Sequence, residues 1–138
     1  MLFRSLSDVL AIFGGNTSPV VGDETVIDWI RSRKPGTQYF FSVCTGALIM
    51  GKAGLLDNLT ATTHHSYIAR MQKALPSTRV LENVRFVDNG NVITIAGISA
   101  GIDGALHLVA KLKGVGVAEE IAKEMEYDKW VPGLGVVV

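Results

Sequence analysis

Two short runs constrain the fold of this chain more than anything else in it. The first is Asp8-Val9-Leu10-Ala11-Ile12-Phe13, closed by Gly14-Gly15. The second is Gln38-Tyr39-Phe40-Phe41-Ser42-Val43, which leads into Cys44-Thr45-Gly46-Ala47. The first run is apolar on both faces, as suits a strand covered by helices on both sides. Between them, residues 24–33 read as a helix, with Val26, Ile27 and Ile30 as its apolar stripe, Asp23 or Gly22 as its cap and Lys34-Pro35-Gly36 as its stop. Strand, helix, strand with buried strands predicts an α/β fold built on a mainly parallel sheet.

The rest of the chain continues the alternation. Asn16-Thr17-Ser18-Pro19 reads as loop, and residues 45–52 read as a short helix ended at Ala53-Gly54. Ala61-Thr62-Thr63 is a short strand, and residues 64–75 are helical up to Pro76. Val84-Arg85-Phe86-Val87 and Val92-Ile93-Thr94-Ile95 flank Asp88-Asn89-Gly90-Asn91, a β-hairpin pattern with Asn-Gly at its tip. Helices follow over 102–113 and 117–126, and residues 132–138 read as irregular. The 138 residues make one domain, 1–138. No internal repeat or low-complexity segment interrupts it.

Charge narrows the function classes. Thirteen basic and thirteen acidic residues cancel, with no charge run, so neither nucleic acid nor an anionic membrane is the expected partner. A single cysteine cannot form an internal disulfide, which points to a reducing cytoplasm. The stretch Met1-Leu2-Phe3-Arg4-Ser5-Leu6-Ser7-Asp8 lacks the apolar core of a signal peptide. No Cys/His cluster has ligand spacing, so neither a metal nor a cofactor is expected.

That single cysteine, Cys44, sits where a strand hands over to a helix. A sharp turn there exposes a side chain at the carboxyl end of the sheet, and the following helix start favours a thiolate. Free cysteines are often small buried hydrophobes. A position where the chain turns out of the sheet is poor for that role, so Cys44 is read as a nucleophile or redox centre. Gly14-Gly15 ends the neighbouring strand, and the N–H groups of Gly15 and Thr45 are candidates for one oxyanion hole. His64 and His65 follow the Ala-Thr-Thr strand; adjacent positions point differently, so at most one faces the sulfur, and spacing leaves the role open. Ser99 and Asp103 are read as a helix cap and a first-turn acid, and Asp23-Glu24 as a helix N-terminus.

Together these stretches resemble the ThiJ/PfpI superfamily, with its class I glutamine-amidotransferase-like fold, and within it the isonitrile-hydratase-like branch and the sensor domains of AraC-type regulators. The resemblance rests on the 8–15 strand with its glycine pair, on Ser42-Val43-Cys44-Thr45-Gly46-Ala47 continuing to Gly51-Lys52-Ala53-Gly54-Leu55-Leu56-Asp57, on Ala61-Thr62-Thr63-His64, and on Ala96-Gly97-Ile98-Ser99-Ala100-Gly101-Ile102-Asp103 with Ala105-Leu106. It implies a flavodoxin-like three-layer sandwich and a homodimer or higher oligomer. It marks Cys44 as the nucleophile, Gly15 and Thr45, with Gly14 beside them, as the oxyanion and substrate-binding positions, and His64 as the histidine near the thiol. Members of the family begin with a strand, a loop and a helix that carry an acidic residue to the cysteine. This sequence begins after that segment, so it reads as truncated and no acid is carried over. The strand at 8–13 then becomes a sheet edge, expected to pair with another copy or be covered. Thr45 stands where the proteolytic branch often has histidine, which argues against a protease.

The expected activity is cysteine-dependent attack on a small electrophilic substrate, most like isonitrile hydration to an N-substituted formamide. The alternatives are a non-catalytic ligand- or redox-sensing module and a glyoxalase- or deglycase-like activity on reactive carbonyls.

Overall fold

The structure is a computed structural model, and it describes residues 7–138; residues 1–6 lie outside the described residues. Thirteen helices and strands follow in order among the described residues: β1 (Ser7–Ile12), α1 (Ser18–Val21), α2 (Glu24–Ser32), β2 (Thr37–Val43), α3 (Gly46–Lys52), β3 (Thr60–Ala61), α4 (Ile68–Ala74), β4 (Arg79–Val80), β5 (Phe86–Asp88), β6 (Val92–Ile95), α5 (Ala100–Lys113), α6 (Val115–Glu124) and β7 (Val136–Val137). The main sheet has five strands among these residues, in the order β1-β2-β6-β5-β7. β1, β2 and β6 run parallel, β5 returns antiparallel to β6, and β7 lies parallel to β5. The α/β reading, the parallel core of the sheet and the hairpin all hold. Among the described residues, no helix is long and apolar enough to cross a membrane.

Successive residues of β2 face opposite layers, as the two-residue period of a strand requires. Phe40 joins Ile12 and Val92 against Ile27 and Ile30 of α2, Met50 of α3 and Met71 of α4. Phe41 joins Phe86, Ile93 and Ile95 against Ala100 of α5. Helices therefore lie on both faces. The Asp23 carboxylate accepts from the Thr25 N–H at 3.0 Å, which decides between the two candidate caps of α2.

Several expectations change. β1 is covered on one face only. Val9 is half-buried, Ala11 exposed and Phe13 66% exposed, so the face they share is open. An apolar groove of about 440 Å³ runs there between Phe13, Phe41 and Val43 and the helix residues Ile102, Ile121 and Met125. The physical reason is topological: α5 follows the hairpin and packs on β5 and β6, leaving β1 bare. Among the described residues β1 also ends the sheet, pairing only with β2. Part of the expected loop at 16–19 is the start of α1, where Pro19 suits a first helical turn. The expected helix at 64–75 is a 3-10 turn followed by α4. The strand expected at 61–63 is Thr60–Ala61, paired with β4 in a sheet of its own. The tail read as irregular contributes β7, and the Val138 N–H donates to the Asp88 carbonyl at 2.9 Å. Three β-branched valines suit a strand, but nothing local says where their partner is.

Candidate active site at the carboxyl ends of the strands

Cys44 occupies the turn between β2 and α3 with φ at 59°, a left-handed conformation that a residue with a Cβ adopts only under constraint. The constraint comes from both sides. Its N–H donates to the carbonyls of Ile95 at 3.0 Å and Ala96 at 3.2 Å, and its carbonyl accepts from the Thr63 hydroxyl at 2.9 Å. The thiol is half-buried and unpaired by any disulfide.

Gly14 is glycine for a steric reason. A Cβ there would lie 2.7 Å from the Thr45 nitrogen and 2.9 Å from the Cys44 Cβ. The end of β1 is thus pressed against the elbow, and Gly14 lines it with backbone alone. The neighbouring Gly15, at φ 129°, donates its N–H to Thr45 Oγ1 at 3.0 Å, and that hydroxyl donates to the Gly15 carbonyl at 3.0 Å. This differs from the expected pair of free donors. The Gly15 N–H is engaged, and a ligand reaches it only by displacing the buried Thr45 hydroxyl. The Thr45 N–H has no acceptor among the described residues.

His64 starts the 3-10 turn. Its Nδ1 accepts from the Ser66 N–H at 3.3 Å and meets Ser66 Oγ at 2.7 Å, so a neutral ring carries its hydrogen on Nε2. The ring lies over Gly97, where a Cβ would come within 2.2 Å of Cδ2. Cys44 and His64 share no hydrogen bond among the described residues. They are linked instead through the chain, since Thr63 holds the Cys44 carbonyl and Gly97 follows Ala96, which accepts from the Cys44 N–H. His65 is exposed and lies against His64 with ring centroids 4.4 Å apart and the rings tilted by 38°.

A description of the DJ-1/PfpI family matches residues 4–111 of this chain. The chain belongs to the DJ-1/PfpI family. It is 41% identical over 122 residues to an isonitrile hydratase of Pseudomonas putida, a match covering 87% of this chain and 52% of the relative. It is 28% identical over 117 residues to the HTH-type transcriptional regulator CdhR of Pseudomonas aeruginosa, covering 85% of this chain and 34% of the regulator. A crystal structure of a ThiJ/PfpI family protein from Pseudomonas syringae superposes with a TM-score of 0.78 at 33% identity, covering 91% of this chain and 52% of that one. The chain thus spans about half the length of the hydratase and of that solved structure, and about a third of the regulator.

This DJ-1/PfpI chain also carries two polar clusters that residue spacing did not reveal. Asp103, read as a first-turn acid, is 1% exposed. Its carboxylate accepts from Arg85 Nε at 2.7 Å and from the Tyr127 hydroxyl at 2.9 Å, while Arg85 Nη2 reaches Ser99 Oγ at 3.3 Å. Burial and the Asp103 carboxylate push the Tyr127 phenol above its ordinary value, with Arg85 opposing. Ser99 makes no side-chain cap; it belongs to this cluster. At the far end of β5, Asp88 accepts from His107 Nε2 at 2.7 Å, from the Gly90 N–H at 2.7 Å and from Lys111 Nζ at 2.9 Å. Burial pushes the Asp88 carboxyl up, but those bonds and the Lys111 charge outweigh it and hold it below the ordinary carboxylate value. The signal was present in the sequence. Asp103, His107 and Lys111 recur every four residues on one stripe of an otherwise apolar helix.

Proposed function

We propose that this chain carries the nucleophilic half of a cysteine-dependent active site of the isonitrile hydratase type. One observation carries the reading: the lone cysteine sits at a left-handed strand-to-helix turn beside the unpaired Thr45 N–H, in a chain 41% identical to an isonitrile hydratase. Strained backbone and unpaired donors at the carboxyl end of a parallel sheet are where a ligand belongs.

In this reading the Cys44 thiolate attacks the terminal isonitrile carbon, forming a C–S bond. That carbon takes a proton, giving a thioimidate. Water then adds to the same carbon, the C–S bond breaks, and the thiolate leaves with the N-substituted formamide as product. The sum is one isonitrile plus one water. The Thr45 N–H orients the adduct, with Gly15 joining once its tie to the Thr45 hydroxyl opens. Cys44 accepts no hydrogen bond from a carboxyl among the described residues. His64, whose Nε2 has no partner among the described residues, is the candidate to relay a proton from water.

The test is formamide formation from an alkyl isonitrile, followed by NMR, with the chain and its Cys44→Ala variant. Equal turnover by the two ends the nucleophile assignment. A second reading is favoured by the 28% identity to a transcriptional regulator: a ligand-sensing module on the same fold. Stoichiometric binding or labelling at Cys44 with no turnover selects it. For assembly, the place of β1 at the end of the sheet among the described residues supports pairing through that edge, and sedimentation as a monomer with β1 slow to exchange its amides overturns it.

A further inference from the structure

Beside the elbow lies a cleft of about 390 Å³, walled by His64, His65, Asn83, Arg85 and Gly97. Cys44 is not among the lining residues, but its backbone is tied to two that are: the Thr63 hydroxyl donates to the Cys44 carbonyl and the Ala96 carbonyl accepts from the Cys44 N–H, one residue before His64 and Gly97 respectively. Among the described residues, no aspartate or glutamate lines the cleft. Its threonine hydroxyls are engaged, Thr62 with the Leu81 carbonyl and Thr63 with that of Cys44.

The remaining polar side chains, partly or fully exposed, include donors with no acceptor among the described residues. One edge of the Arg85 guanidinium, Nε and Nη2, is fixed on the buried Asp103, and Nη2 also meets Ser99; Nη1 has no acceptor among the described residues. The Asn83 side chain makes no hydrogen bond among the described residues, and Asn83 itself is held at φ 59°. His64 presents Nε2–H because Ser66 occupies Nδ1. Asp103 in turn accepts from the Tyr127 hydroxyl, so the arginine's partner is itself anchored. A guanidinium clamped along one edge, with an amide beside it in one polar cavity, forms a receptor for a carboxylate and leaves the His64 Nε2 for the proton.

We propose that this cleft binds the carboxylate of a small substrate whose reactive carbon reaches Cys44, with Arg85 as the specificity-determining contact. The proposal rests on the Cys44 reading above and names its substrate class: an isonitrile bearing a carboxylate, such as isocyanoacetate, hydrated to N-formylglycine. Water supplies the oxygen and both hydrogens, so the reaction balances as before. Ile68, Val84 and Ile98 also line the cleft, and apolar walls of that kind suit a short alkyl link.

Binding is measured apart from turnover, by calorimetric titration of the Cys44→Ser chain with N-formylglycine and with its methyl ester. The acid binds roughly ten- to hundred-fold more tightly than the ester, the usual range for a charge-assisted hydrogen bond. Arg85→Lys removes most of that preference. Asn83→Ala leaves the Asp103 pair untouched and weakens the acid several-fold, so the proposal stands or falls even where the arginine variant does not fold. Equal binding of acid and ester overturns the proposal, as does no binding of either at millimolar concentration, or tighter binding of inorganic phosphate than of the acid. Preferred binding of the acid with no hydration by the unsubstituted chain sinks the hydratase reading alone. Hydration of charged and neutral isonitriles at equal rates sinks the carboxylate subsite alone.

Discussion

At the hairpin end of the sheet, Asp88 is 2% exposed and its carboxylate is ringed by His107, Lys111 and the Gly90 N–H. At the opposite end, Cys44 is held at φ 59°, the Thr45 N–H lacks an acceptor among the described residues, and Arg85 has one edge of its guanidinium unmatched. Both ends border the same helix, α5, which supplies Asp103 to one and His107 and Lys111 to the other. The buried charge at the hairpin end is paired, whereas the elbow end keeps a left-handed backbone and donors without acceptors among the described residues. Buried polar groups in folded proteins are nearly all paired; the unpartnered Thr37 and Ser42 hydroxyls lie along β2, so the contrast rests on the strained Cys44 turn and the buried Thr45 N–H. The contrast supports a structural role for the hairpin end and the proposed chemistry for the elbow end.

Four changes break or sharpen that contrast, in falling order of effect. Cys44→Ala lowers formamide formation by about three orders of magnitude or more while leaving the urea midpoint within experimental error, because a nucleophile has no substitute. A large loss of stability in that variant would make Cys44 a core residue. Asp88→Asn leaves turnover per folded molecule unchanged and lowers stability by about 3 kcal/mol, the cost of stranding a buried partner, read by urea unfolding. It also changes the acid limb. The folded Asp88 carboxyl titrates below its unfolded value, so its contribution is complete above the ordinary carboxylate pKa and is lost as pH falls through the lower folded value. The variant therefore loses stability less steeply than the parent over that acid range, and parallel acid limbs would contradict the assignment.

Gly14→Ala affects both properties. Its Cβ would meet backbone at 2.7 Å, so stability falls by about 1–3 kcal/mol and turnover falls with it as Cys44 and Thr45 shift. A loss of stability with turnover intact would separate the glycine pair from the site. Gly116→Ala is the smallest. Nothing lies within 4 Å of a Cβ there, in the first turn of α6, so stability rises by about 0.5–1 kcal/mol with no change in turnover. It serves as the control that small-to-larger substitution is not harmful in itself.

Much of the fold is legible in the residues alone. The apolar runs, the Asn-Gly tip and the Lys-Pro-Gly stop are local signals, and β1, β2, the hairpin and α2 fall where those signals put them. The elbow is legible for the same reason, because an apolar strand followed by Cys-Thr-Gly reads as a strand-to-helix turn, although bonds to Thr63, Ile95 and Ala96 hold its left-handed backbone. The site's polar partners are not. Asp103 reads as a helix-start acid until Arg85, 18 residues away, is packed against it, and the Gly15 N–H reads as free until Thr45, 30 residues on, takes it.

The sequence by itself determined the order of elements, the α/β class, the position of Cys44 and membership of a family whose pattern it carries from the first strand to α5. Those depend on periodicity and turn chemistry, which act over a few residues. Only the tertiary structure decided that β7 completes the sheet, that β1 keeps one bare face, that the Thr45 hydroxyl ties up Gly15, and that Arg85 stands clamped at the rim of a cleft beside the thiol. Each of these is a meeting of groups distant in the chain, set by how helices pack on the sheet and by the demand that buried charges find partners.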